Sequence, residues 1–231
     1  MAEHLSVATL IGDVVASRRA PDRTDMQRSV RAALERVNRD VPAVQPLDVT
    51  VGDEFQGAYA SLAAAVRASL LLRLVLLPEV DTRYGLGWGG TTVFDADRSL
   101  PSQDGPAWWG AREAIEHVHA TAGRRGRARG LSTWFHDRGD QPWPPDAGAP
   151  GSPGCGPAVN ALLVLRDELV GQQCDRARRL LLGWLAGAQQ QELAAAEGIT
   201  QSAVSQQLAR SGAYAVRDAQ DALDEVVAWR S

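Results

Sequence analysis

The chain has 231 residues, 45% hydrophobic and 23% charged, which is globular material for one large or two modest cores. Its net charge is −4, and all 24 of its basic residues are arginine, so a basic field over the whole molecule, a P-loop lysine, a Schiff-base lysine and a Ser-Lys dyad are excluded. Cys155 and Cys174 are too few for a disulfide framework or a cysteine-built zinc site.

The N-terminus lacks a basic segment followed by a long apolar run, so no signal peptide is predicted. SVATLIGDVVAS (Ser6–Ser17) is β-rich and apolar and predicts a buried strand closed by Asp13. Met26, Val30, Ala33, Leu34 and Val37 follow at helical spacing, with Thr24 as the predicted cap. LDVTV and FQGAYA predict two strands around the turn Gly52-Asp53-Glu54. The next segment, from Ser61 to Pro78, predicts a helix with Ser61 as cap and Pro78 as stop. Its apolar stretch is interrupted by Arg73 and falls short of the roughly 20 residues a membrane helix needs, so a soluble cytoplasmic protein with no membrane partner is expected.

TRYGLGWGGTTVFD alternates and is glycine-rich, which predicts a strand that is bent or closely approached by a ligand. A helix begun at Pro106 and the short strand LSTWF come next. Pro and Gly dominate residues 137–156, which predicts a linker or extended loop. Only helical periodicity follows. The expected organisation is therefore α+β: a first domain over 1–136, the 137–156 linker and an all-α domain over 157–231.

Asp13 closes one core strand and Asp53 sits in a turn 40 positions later, with room for one helix between them. If the two strands are neighbours, both carboxylates meet at one end of the sheet. They repel there unless a cation lies between them. Mg²⁺ (or Mn²⁺) suits that position, because it takes oxygen ligands and bridges carboxylates to phosphates. Ser17, Arg18 and Arg19 follow Asp13 and are placed to cradle phosphates. The bland alternative is that Asp53 and Glu54 only make a turn.

Trp88, Trp108 and Trp109 are candidates for stacking on a base or, alternatively, for core packing. His117 and His119 are two apart on a helix and diverge, which argues against a paired metal site. The four arginines of GRRGRARG (Gly123–Gly130) predict a solvated loop, with phosphate contact as the alternative.

IGDVVASR, VGDEFQG and DGPAWWGAREAIE together resemble the SatD family of bacterial proteins over most of the first 135 residues. That resemblance implies a regulatory protein with a helical C-terminal part. The same segments are more distantly similar to the palm domain of class III nucleotidyl cyclases and diguanylate cyclases. This similarity implies a palm-like, ferredoxin-type antiparallel sheet with helices, and a metal site at Asp13 and Asp53. With Ser17 and Arg18 read from the segment after Asp13, nucleotide contacts are expected from Ser17, Arg18 and Arg112. In the cyclase pattern Asn-x-x-x-Arg, Arg112 is kept but Trp108 stands where Asn belongs, and the base-reading lysine is absent. Nucleotide binding is thus expected over catalysis, with Arg112 as the catalytic candidate if the protein is an enzyme.

QQELAAAEGITQSAVSQQLARSG (190–212) reads as a helix-turn-helix and resembles that of many bacterial regulators. Leu193 and Ala194 face inward, Gly198 permits the sharp turn, Thr200 caps the second helix, and Val204 and Leu208 pack back. Gln201, Ser202, Ser205, Gln206 and Arg210 are left to read DNA. Arg176, Arg178 and Arg179 are candidate phosphate contacts. Against this, residues 190–231 hold six acids and three arginines, which fits a hairpin used for dimer contacts. Ala219, Ala222, Val226 and Trp229 in the last helix form a dimer or interdomain face, and a homodimer is expected.

The favoured expectation is a cytoplasmic regulator that binds a nucleotide with Mg²⁺ and binds DNA. The rivals are a two-metal nucleotidyl cyclase or related phosphoryl-transfer enzyme, and a protein-interaction module with vestigial sites.

Overall fold

The structure is a computed structural model and describes residues 5–17, 22–50, 52–95, 102–121, 124, 128, 130–139 and 156–226. Arg18, Arg19, Cys155, Trp229, three of the four GRRGRARG arginines and residues 140–155 lie outside the described residues. The first elements are β1 (Leu5–Val14), α1 (Arg23–Asp40), β2 (Gln45–Val49), β3 (Glu54–Tyr59) and α2 (Leu62–Leu76). They are followed by β4 (Thr82–Asp95), β5 (Ser102–Asp104), α3 (Pro106–Thr121) and β6 (Thr133–Gly139). From Gly156 onward the described elements are helices: α4 (Gly156–Gly171), α5 (Asp175–Leu185), α6 (Gln190–Glu197), α7 (Gln201–Arg210) and α8 (Ala213–Asp224). None of the described helices is long and apolar enough to cross a membrane.

The strands lie in the order β2-β3-β1-β4, each pair antiparallel, and β6 joins β4 on its other side. The short β5 pairs with the far end of β4. The β4–β6 pair is parallel, so the sheet is mixed and not the antiparallel sheet expected from the sequence. The physical reason is the connection: α3 carries the chain back over one face before β6 begins, and a crossover of that kind delivers a parallel neighbour.

Alternation along β1 sorts the two faces. Ala8, Leu10 and Val14 join Phe55, Tyr59, Tyr84 and Leu86 in the core under α1 and α2. Val7 and Ile11 join Ala58 in a smaller cluster under Ala107, Trp108, Ala111 and Ile115 of α3. Asp22, not Thr24, caps α1: its carboxylate accepts from the Thr24 and Asp25 amides at 2.8 and 3.0 Å. Ser61 caps α2 as expected, at 3.2 Å from the Ala64 amide.

The glycines of β4 are explained by a helix, not by a ligand. A Cβ on Gly85 would lie 2.0 Å from the Ala111 carbonyl oxygen, and one on Gly87 would lie 2.0 Å from that of Ala107. α3 therefore sits directly on the β4 backbone, and Thr9 donates to the Ala107 carbonyl at 2.8 Å.

Helix α2 is apolar nearly all round because it is covered on both sides. One flank meets the sheet and α1, and another meets the C-terminal helices. Leu163, Leu180, Leu181, Val204, Leu208 and Val216 thus belong to the same apolar cluster as the strands. Arg67 of α2 donates to the Leu185 carbonyl at 2.7 Å, and Gln220 of α8 donates to the Ala63 carbonyl at 3.0 Å. Gly198 adopts a left-handed conformation (φ 64°) between α6 and α7, and the Thr200 hydroxyl caps α7 through the Ala203 amide at 3.1 Å.

Candidate functional site

Asp13 and Glu54 are direct cross-strand partners on β1 and β3, and Asp53 precedes Glu54 in the turn. The register therefore places Asp13 and Glu54 on the α3 face at one end of the sheet, and the turn adds Asp53 at the same end. Arg112, Glu116 and His119 are spaced by four and three residues, so one face of α3 presents all of them to that end. Together these six side chains line a cleft of about 610 Å³.

The pairing inside the cleft is specific. Arg112 grips Glu54 through two nitrogens, Nη1 to Oε2 at 2.6 Å and Nη2 to Oε1 at 2.7 Å, and these bonds hold its pKa above the ordinary arginine value. Such two-pronged carboxylate recognition is what the planar guanidinium favours. His119 Nε2 lies 2.8 Å from Asp13 Oδ2, and Arg83 of β4 is 3.9 Å from the same oxygen. A left-handed turn at Ala16 (φ 56°) precedes Ser17, whose buried hydroxyl donates to Asp53 Oδ2.

One atom in this network is unmatched. Asp13 Oδ1 is buried and has no hydrogen-bond partner. Burial raises the Asp13 pKa, His119 and Arg83 lower it, and the nearby Asp53 charge raises it again. An orphaned carboxylate oxygen beside a second carboxylate is the position a hard divalent cation satisfies. No group of three or more His, Cys, Asp or Glu side chains suited to a metal occurs among the described residues.

The structure brings Asp13, Asp53 and Arg112, the candidates of the sequence reading, to one cleft. His119, weighed in the sequence only as a pair with His117, and Glu116 line the same cleft, and their spacing from Arg112 along α3 was the available signal. Ser17 faces Asp53 instead of standing free for a ligand, and Arg18 lies outside the described residues. His117 does diverge from His119: its ring stacks on Trp134 at 4.1 Å between centroids. Trp88 and Trp108 are buried in the two cores, and Trp109 donates to Asp104 at 2.5 Å. None of the three lines the cleft.

On the helical side, Gln201, Ser202, Gln206 and Arg210 are exposed on α7 and Ser205 is half-buried. Arg179 grips Glu197 with two bonds of 2.7 Å, Arg176 lies 3.8 Å from the same carboxylate, and Arg178 turns to Asp175 and the α4 C-terminus. The arginines considered as phosphate contacts are thus engaged within the protein.

Solved structures similar to part of this chain include a bacterial light-regulated adenylyl cyclase (15% identity, TM-score 0.44, 52% of this chain and 42% of that one). This chain therefore spans less than half the length of that protein. Another is the guanylyl cyclase domain of the RhoGC fusion protein from the aquatic fungus Blastocladiella emersonii (15% identity, TM-score 0.40, 49% of this chain and 74% of that one). A third is the guanylyl cyclase Cya2 (11% identity, TM-score 0.40, 50% and 72%). No curated protein matches the chain. The SatD family model matches residues 7–127, which span β1 to the end of α3 and so include Asp13, Asp53, Glu54, Arg112 and His119. On that match, the chain is a member of the SatD family.

Proposed function

We propose that this protein is a regulator that binds a nucleotide with Mg²⁺ or Mn²⁺ in the Asp13–Asp53 cleft and binds DNA through α7. The observation that carries the first half is the buried, unpartnered Oδ1 of Asp13 beside a second carboxylate. A cation there removes the orphan and the repulsion together, and it supplies positive charge for phosphates in a chain without lysine. Asp13 and Asp53 hold the ion, Ser17 orients Asp53, and Arg112 stands at the phosphate side once Glu54 releases it. Arg112 is also the group that a catalytic reading requires, but Trp108 stands where the cyclase pattern has Asn and the chain has no lysine to read the base. Binding is therefore favoured over turnover.

Isothermal titration with nucleoside triphosphates, with and without Mg²⁺, tests this. Binding is expected only with metal, and Asp53→Asn is expected to weaken it about tenfold or more. Metal-independent binding, or binding untouched by Asp53→Asn, overturns the reading. Chromatography of the same mixtures reports any turnover.

For DNA, support comes from the polar, exposed face of α7 and from the neutralisation of Glu197 beside it by Arg179 and Arg176. Gln201→Ala with Gln206→Ala is expected to relax sequence preference on a duplex library without changing thermal unfolding. Unchanged preference removes the assignment. A homodimer that presents two copies of α7 completes the proposal, and sedimentation measures it directly.

A further inference from the structure

A second cavity opens on the other face of the sheet, and Asp53 is a wall of both. It measures about 260 Å³ and lies between α1 and the β2–β3 hairpin, walled by Val14, Met26, Val30 and Phe55. Gln27, Arg31 and Thr50 also line it. Arg31 is exposed on α1 and forms no ion pair among the described residues. The cavity is smaller than those that enclose a whole drug-sized ligand. A cavity of this size, lined by apolar side chains together with polar ones, suits a single ring system that is buried by its faces and bonded through its polar atoms.

The chemistry of these polar groups narrows the occupant. Arg31 offers donors only. The Thr50 hydroxyl is already turned to the Glu54 carbonyl at 3.2 Å. Gln27 offers one donor and one acceptor group. A 6-oxopurine presents two acceptors, O6 and N7, to a guanidinium, whereas a 6-aminopurine places an N–H donor against it.

We propose that this pocket seats the 6-oxopurine base of the nucleotide, with Arg31 bonding its O6 and N7 edge while the phosphates lie in the Asp13–Asp53 cleft. The proposal rests on the cleft reading given above, and Asp53, shared by the two cavities, is the joint between base and phosphates.

The test compares four probes by titration calorimetry in the presence of Mg²⁺: GTP, ATP, inorganic tripolyphosphate and guanosine. Each is run against the full chain and against Arg31→Ala, an exposed helix position where alanine favours the fold. GTP is expected to bind about tenfold or more tighter than ATP and tripolyphosphate. Arg31→Ala is expected to remove that advantage while leaving tripolyphosphate unchanged. If GTP and tripolyphosphate bind alike, or the preference for GTP survives Arg31→Ala, the pocket assignment is overturned and the cleft reading stands. If tripolyphosphate and both nucleotides fail to bind, the cleft reading falls. Guanosine then decides the pocket alone: binding that depends on Arg31 keeps it, and no binding removes it.

Discussion

Burial pushes the Asp13 carboxyl above the ordinary aspartate range, and the His119 and Arg83 charges only partly pull it back. An aspartate raised on folding favours the fold while it is protonated. That stabilisation is complete below its unfolded pKa and is lost as pH rises through the folded value. At neutral pH the ionised Asp13 is therefore a burden on the metal-free protein, with one oxygen left unsolvated. Asp13→Asn is expected to raise the thermal midpoint near pH 7, and the gap to the parent is expected to close towards about pH 3. The same substitution is expected to abolish Mn²⁺ binding, a trade of function for stability. Thermal unfolding across this pH range reads the first effect, and a variant less stable than the parent at neutral pH contradicts the account. Asp13 was legible as a residue needing a partner, because a carboxylate ending an apolar strand is conspicuous. His119 was legible only through its spacing from Arg112 along α3, because nothing in the chain order says which helix crosses the strand ends.

At the scale of elements, the two outer strands share a device that periodicity conceals. Asn38 of α1 donates to the Leu47 carbonyl of β2 at 2.9 Å and accepts from the Leu47 amide at 2.8 Å. Asn160 of α4 does the same to Phe135 of β6, at 2.9 and 2.8 Å. Each side-chain amide takes the place of a further strand at the centre of an edge and so blocks pairing with another chain. The Asn160 pair is buried and the Asn38 pair is only partly so. Asn160→Ala is expected to cost about 2–3 kcal/mol, because it strands two buried backbone groups, and Asn38→Ala about 1 kcal/mol, because water reaches Leu47. Urea midpoints give the ranking, and equal costs refute it. The strands themselves were legible from alternation, and the hairpin from its turn residues. The pairing of β6 with β4 was not, because a mid-helix asparagine reads as surface and a strand's partner is set by the helices that deliver it.

At the scale of the whole molecule, the contact between the sheet and the C-terminal helices decides how the chain unfolds. Asp167 of α4 is fully buried and accepts from the Ser132 amide and hydroxyl at 2.9 Å and from the Thr133 amide at 2.7 Å. Arg166, 5% exposed, bonds Asp167 at 2.8 Å, the Thr133 hydroxyl at 2.7 Å and the Val66 carbonyl of α2 at 3.1 Å. One ion pair thus ties together α4, the start of β6 and the middle of α2. The apolar cluster continues without a break from Leu10 in the sheet to Val216 in α8. A shared core and a buried charged network between the two parts favour their unfolding together. Calorimetry is therefore expected to show one transition, with calorimetric and van't Hoff enthalpies equal. Asp167→Ala leaves Arg166 charged and unpaired in the interior, at an expected cost of about 3–5 kcal/mol. Glu197→Ala, which releases the exposed arginines of α5, is expected to cost about 1 kcal/mol or less. Two resolved transitions, or a cost at Asp167 no larger than that at Glu197, would show that the helical part folds on its own.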